Sequence, residues 1–163
     1  MTLRPKSFLV LCCMLVMAGW GLLSETNAAP THEWTTFNSR GLAVEYPRDV
    51  FTEAGVGEHD GRLFTTRDKR ARLTIFTLSN ERGATPAQFL RRSFPENRRN
   101  LTYDRVASNF FAVSEPKNGL ILYRRCNFST GAMIHCIDLQ YPRREKRAWD
   151  AIVTRISLSL RPR

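Results

Sequence analysis

Only two of the four cysteines, Cys126 and Cys136, lie beyond an N-terminal apolar run. They are too few for a zinc site of four Cys/His ligands, and His135 beside them points to the opposite face of a strand. They do not form Cys-x-x-Cys at a helix N-terminus, the usual redox arrangement. The histidines are His32, His59 and His135. None sits in a His-Glu-x-x-His pattern, and no Gly-x-Ser-x-Gly or P-loop motif occurs, so the familiar catalytic and nucleotide-binding signatures are missing. A Ser/His/Asp set assembled from His59, Asp60 and some serine has no spacing behind it, and Glu58, Asp60 and Asp68 read as turn carboxylates near Gly57 and Gly61. No catalytic residue, metal or cofactor is assigned. Repeats, low-complexity tracts and internal linkers are absent too. Lysine is confined to Lys6, Lys69, Lys117 and Lys146, so the basic excess is almost wholly arginine.

What is present begins with a leader. Arg4 and Lys6 precede an uncharged apolar run from Phe8 to Leu23, and SETNAAP supplies small residues for processing. This reads as a secretory signal peptide over residues 1–29, cleaved near Ala28 or Ala29; the alternative is an uncleaved membrane anchor, for which the run falls short of the roughly 20 residues that span a bilayer core. Cys12 and Cys13 lack the small residues of a lipoprotein cleavage site and count as part of the apolar run. Residues 30–163 are then expected to form a single exported domain, periplasmic or secreted. Removing Arg4, Lys6 and Glu25 takes the net charge from +10 to +9. Such a field favours anionic partners, which outside the cytoplasm means lipid head groups, acidic glycans or acidic proteins before nucleic acid. A GC-rich coding sequence accounts for the preference for arginine equally well.

Along the chain, extended segments come in runs. Residues 34–37 make a short first strand, and GLAVEYP places Leu42, Val44 and Tyr46 inward with Ala43 and Glu45 outward, ended by Pro47. A turn at Asp60-Gly61 feeds a strand through Leu63 and Phe64, which pairs as a hairpin with RARLTIFTLS. Thr85, Pro86 and Gln88 then form a capping box opening a short helix that Pro95 stops. Three extended segments follow, the last two joined by a turn within residues 116–119. Near the C-terminus Trp149, Ile152, Val153 and Ile156 fall at i, i+3, i+4 and i+7, an amphipathic helical stripe. The fold class is α+β: an antiparallel sheet of about six or seven strands with a short mid-chain helix and a C-terminal amphipathic helix packed on it.

The cysteines set a register. If residues 121–128 and 133–141 form a hairpin turning at Thr130-Gly131-Ala132, with Gly131 at positive φ, Cys126 faces Cys136. The same side pairs Arg124 with Asp138, Leu122 with Gln140 and Phe128 with Ile134. The other pairs Ile121 with Tyr141, Tyr123 with Leu139 and Arg125 with Ile137. A slip of one residue destroys the whole set. Opposed strand residues lie within disulfide reach, so the pair reads as a covalent staple.

Arg143, Arg144, Lys146 and Arg147 crowd the start of the last helix, where cations oppose the helix dipole. Exposed helix-end amides and guanidinium groups there make a candidate anion site. The alternative is a solvated basic face, with the helix beginning later, near Ala148. A second cluster, Arg91, Arg92, Arg98 and Arg99, brackets the end of the first helix.

With the EYP corner, the Asp60-Gly61 turn, LTIF, the capped helix, NFFAVS, ILYRR, IDLQYP and WDAIVTRI in order, the chain resembles the PsbP-like fold family. It also resembles DcrB-type periplasmic proteins and related small exported bacterial proteins. The likeness covers residues 33 to 160, and Tyr46-Pro47 and Tyr141-Pro142 are among its motifs. It implies an antiparallel sheet with helices packed on it and members that act as non-catalytic accessory or binding subunits; it brings no catalytic residues. The expectation is an exported binding or accessory domain of the cell envelope with an arginine surface for an anionic partner. Two alternatives stay open: an enzyme with a loop-built site that no motif reveals, and a purely structural envelope protein.

Overall fold

The computed structural model describes residues 31–39, 41–93, 98–130 and 132–163, with nothing said of the Arg98 side chain. The leader, the helix stop at Pro95 and the turn glycine Gly131 lie outside the described residues, and every statement below concerns the described ones.

Strands β1 (Trp34–Ser39), β2 (Leu42–Pro47), β3 (Thr52–Val56), β4 (Arg62–Thr65) and β5 (Arg72–Ser79) precede helix α1 (Pro86–Ser93). After it come β6 (Tyr103–Val106), β7 (Phe110–Lys117), β8 (Leu120–Phe128) and β9 (Met133–Pro142), then helix α2 (Lys146–Ser159) and a two-residue β10 (Arg161–Pro162). A seven-stranded antiparallel sheet runs β3-β4-β5-β9-β8-β7-β6, and a separate three-stranded sheet runs β1-β2-β10. The α+β class and the sheet size are as expected; the small sheet is additional.

Local rules explain most elements. At α1 the Gln88 amide donates to Thr85 Oγ1 at 3.3 Å and the Thr85 amide to Gln88 Oε1 at 2.9 Å, closing the capping box. The β7–β8 hairpin turns on Asn118 and Gly119, with φ of 51° and 78°, as a tight two-residue connection demands. At the β3–β4 connection the left-handed conformations fall on His59 and Asp60, both at φ 54°. Gly61 serves close approach instead: a Cβ there would lie 2.6 Å from the Ile75 carbonyl oxygen and 2.7 Å from Phe76 Cβ. In the β8–β9 loop Ala132 takes a φ of 55°, so a positive φ is held there by an alanine.

The β8–β9 register is the one the cysteines dictate. Cys126 opposes Cys136, Arg124 opposes Asp138 and Arg125 opposes Ile137. The disulfide forms, with Cα atoms 4.2 Å apart. Strand alternation divides the large sheet into two faces. On the disulfide face Phe76, Phe111, Val113, Cys126, Ile134 and Cys136 make one core with Leu90 of α1. On the other, Phe64, Leu73, Ile75, Ile137, Leu139 and Tyr141 pack against Leu42 and Val44 of β2 and the stripe of α2: Trp149, Ile152, Val153 and Ile156. Ala43, expected outward, is buried. The last turns of α2 come over β2, where the Glu45 amide donates to Ser159 Oγ at 2.8 Å and Arg155 bonds the Glu45 carboxylate. Helix α2 begins at Lys146 behind a 3-10 turn over Arg143–Glu145, so the later start near Ala148 is not the one observed.

His135 is buried, with Nδ1 3.3 Å from Thr77 Oγ1, and burial depresses its pKa. The folded protein binds a proton there less readily than the unfolded chain, which takes one up below about pH 6.5, so its stabilising share is present above that pH and lost as pH falls. Thermal unfolding followed from pH 7 to pH 5 is expected to show a shallower loss of Tm in His135→Gln than in the parent; equal slopes remove this histidine from the account.

Candidate functional site

Helix α2 and the small sheet cover the β4, β5 and β9 side of their face, and along β6, β7 and β8 the sheet stands beside α2 as the wall of an open groove of about 560 Å³. Alternation brings Tyr103 and Arg105 of β6, Phe110 and Ser114 of β7, and Tyr123 and Arg125 of β8 to this wall. From α2 come Lys146, Asp150, Val153, Thr154, Ser157 and Leu158.

The charge in the groove is one-sided. Its charged lining is Arg105, Arg125, Lys146 and Asp150, and Asp150 is taken by Lys146 at 2.8 Å. Burial pushes the Tyr141 hydroxyl up to about 12 and raises that of Tyr123, so both phenols stay neutral. Arg125 is held in place: its guanidinium carbon lies 4.2 Å from the centre of the Phe110 ring, and its Nε donates to Asn127 Oδ1 at 2.9 Å. Asn127 in turn donates to the Leu160 carbonyl at 2.7 Å, and Tyr123 and Ser157 share a hydroxyl–hydroxyl bond of 2.6 Å. Arg105 approaches the same ring at 5.6 Å. Two guanidinium groups over one phenyl, with hydroxyls around them, can hold a carboxylate or phosphate oxygen by charge-assisted hydrogen bonds.

The anticipated arginine clusters fall on opposite faces of the large sheet. Arg91 and Arg92 are exposed at the end of α1, which packs on the disulfide face, and Arg98 and Arg99 belong to the 3-10 turn that follows. Arg143, Arg144 and Arg147 are exposed at the entry to α2, on the groove side, and no ion pair joins them to an acid among the described residues. At the N-terminus of α2 Glu145 takes the cap position without a side-chain hydrogen bond to the helix amides; its carboxylate lies 2.5 Å from Arg70 and accepts the Trp149 indole N–H at 3.4 Å. Lys146 alone of the anticipated residues lines the groove.

On the disulfide face a smaller pocket of about 190 Å³ includes Glu58, Glu115, Arg124 and Asp138. Arg124 and Asp138 form a bidentate ion pair that ties β8 to β9, and Glu115 is buried beside them. Elsewhere, His59 lies against the Phe76 ring at 5.1 Å and makes no hydrogen bond to a serine among the described residues. His32 bonds Asp49 at 2.8 Å, and Asp68 is engaged by Thr66 and Arg70.

Arg105, Arg125 and Phe110 were not singled out from the sequence. Arg125 carried a signal, because the register set it opposite Ile137 on an otherwise apolar face. Arg105 carried none, since its place depends on β6 joining the sheet.

No family model matches the chain, and no curated protein matches it in sequence. Solved structures do resemble it. A crystal structure from Bacteroides thetaiotaomicron VPI-5482 is 15% identical over 78% of this chain and 48% of its own, with a TM-score of 0.47. The solution structure of a cyanobacterial PsbP (CyanoP) from Synechocystis sp. PCC 6803 is 9% identical over 88% of this chain and all of its own, with a TM-score of 0.59. The DcrB-type part of the resemblance rests on motifs alone, whereas the likeness to CyanoP is one of architecture along nearly the whole chain: the protein has a PsbP-like fold.

Proposed function

We propose that the protein is an exported, non-catalytic binding or accessory domain of the bacterial cell envelope whose basic surface holds an anionic partner. The observation that carries the reading is the groove beside α2, where Arg105 and Arg125 share the Phe110 ring and the only lining acid is already paired. Arg143, Arg144 and Arg147, next to Lys146, extend positive charge from the groove along the helix entry. The leader and the buried disulfide fit an oxidising compartment. A PsbP-like fold hosts this role without dictating it, and membership of a photosystem does not follow from it.

Retention by anionic vesicles and by envelope extract is the test. Binding is expected at low salt, to fall steeply as exposed charges are screened over about 8–10 Å near physiological ionic strength. The double variant Arg143→Glu, Arg144→Glu is expected to weaken it by roughly tenfold or more. Retention indifferent both to salt and to this variant overturns the reading.

A further inference from the structure

Of the four exposed large hydrophobic side chains among the described residues, Tyr103 on β6 and Leu158 on α2 line the groove, and Val106 lies on β6 facing the other way. The strand that carries two of them ends the large sheet and pairs only with β7, in unbroken register. The opposite edge is blunted, because the pairing of β3 with β4 shifts between Glu53 and Gly55. A bulge of that kind turns an edge away from incoming strands, and β6 has neither a bulge nor a proline.

The charge on β6 says which strand it accepts. In an antiparallel continuation, directly opposed residues must lie on the same face. A second copy of β6 in the two registers of greatest overlap then sets Arg105 against Tyr103 or against another Arg105, so it brings no carboxylate to the groove side. An acidic strand meets the reverse situation. Its alternate side chains fall on the groove side beside Tyr103 and Arg105, with Arg125 and Lys146 deeper in, while the others fall on the far side with Asp104 and Val106.

We propose that β6 and the groove beside it dock an extended acidic segment of a protein partner. The segment adds to the large sheet as a further edge strand and directs every second side chain, a carboxylate, toward Arg105 and Arg125. Main-chain hydrogen bonds supply affinity in this mode and alternate side chains supply selectivity. The inference rests on the anion-holding reading of the groove and adds the class of partner and its geometry.

Two capped octapeptides of the same composition test it, one alternating Glu and Val, the other with the four Glu and four Val in blocks. Titration of the full protein is expected to show the alternating peptide binding at least about tenfold tighter than the block isomer. The amides of Tyr103–Val106 are expected to gain hydrogen-exchange protection only with the alternating one, and Arg105→Glu to weaken that peptide by roughly tenfold. Protection of β6 in the parent protein needs no variant to fold. Equal affinity for the two isomers with no change at β6 overturns strand addition and leaves the anion-holding reading in place. Binding confined to anionic vesicles or inorganic phosphate likewise overturns it, in favour of a head group or free phosphate. Failure of every anionic probe removes both readings.

Discussion

Phe64→Ala is expected to destabilise the protein by about 3–5 kcal/mol, the range for truncating a fully buried aromatic side chain. Phe64 is 1% exposed and belongs to β4 of the large sheet, yet its ring meets Phe37 at 5.6 Å and Tyr46 at 4.7 Å, both on the small sheet. It is therefore an aromatic bridge between the two sheets, and the space it leaves cannot be refilled by neighbours anchored in separate strand ladders. Thermal and urea unfolding measure the total. Hydrogen exchange locates it: amides of β1 and β2 are expected to lose more protection than those of β8 and β9. A loss spread evenly over both sheets, or one below about 1 kcal/mol, a typical value for an arbitrary substitution, rules out the bridging role.

Opening the Cys126–Cys136 bridge ranks next. A loop of ten residues is worth about 2.5–3 kcal/mol in the chain-entropy account. Both cysteines are buried, at 1% and 0% exposure, so reductant reaches them only when this part of the sheet opens. The double variant Cys126→Ala, Cys136→Ala avoids that barrier and is expected to lower the unfolding free energy by about the same amount, since cross-linking acts chiefly on the unfolded chain. Far-ultraviolet circular dichroism is expected to remain that of the parent. The register has other anchors: the Arg124–Asp138 pair and the opposed pairs Tyr123–Leu139 and Phe128–Ile134. An unchanged urea midpoint, or a folded state with altered strand content, contradicts this.

The parts of the molecule legible in the sequence are those whose cause is local. Thr85, Pro86 and Gln88 specify the start of α1 within four residues, and Trp149, Ile152, Val153 and Ile156 mark the buried stripe of α2. The β8–β9 hairpin was legible for a different reason: a covalent requirement, an ion pair and an apolar face all select one register. What escaped depends on distant chain segments. Ala43 looks like a solvent-facing position within its strand and is buried in a β2 that packs with α2 and pairs with β10 at Ala43 itself, both more than a hundred residues later. β3, with its exposed TEAGV sequence, and the two-residue β10 have too little periodicity to announce themselves. The groove escaped most completely, because it consists of side chains from four strands and a helix. Sequence proximity directed attention to runs of arginine, whereas the positioned guanidinium groups are the scattered Arg105 and Arg125.

The order of the large sheet has a kinetic consequence. β5 lies between β4, its neighbour in sequence, and β9, whose residue Gln140 pairs with Arg72. A chain emerging from the ribosome N-terminus first therefore holds the β4–β5 hairpin with one long side unfilled until its last quarter has been made. Such delayed closure slows folding and prolongs the interval in which an apolar strand can join the wrong neighbour. Keeping the nascent polypeptide extended until synthesis is complete is the handling that this topology calls for.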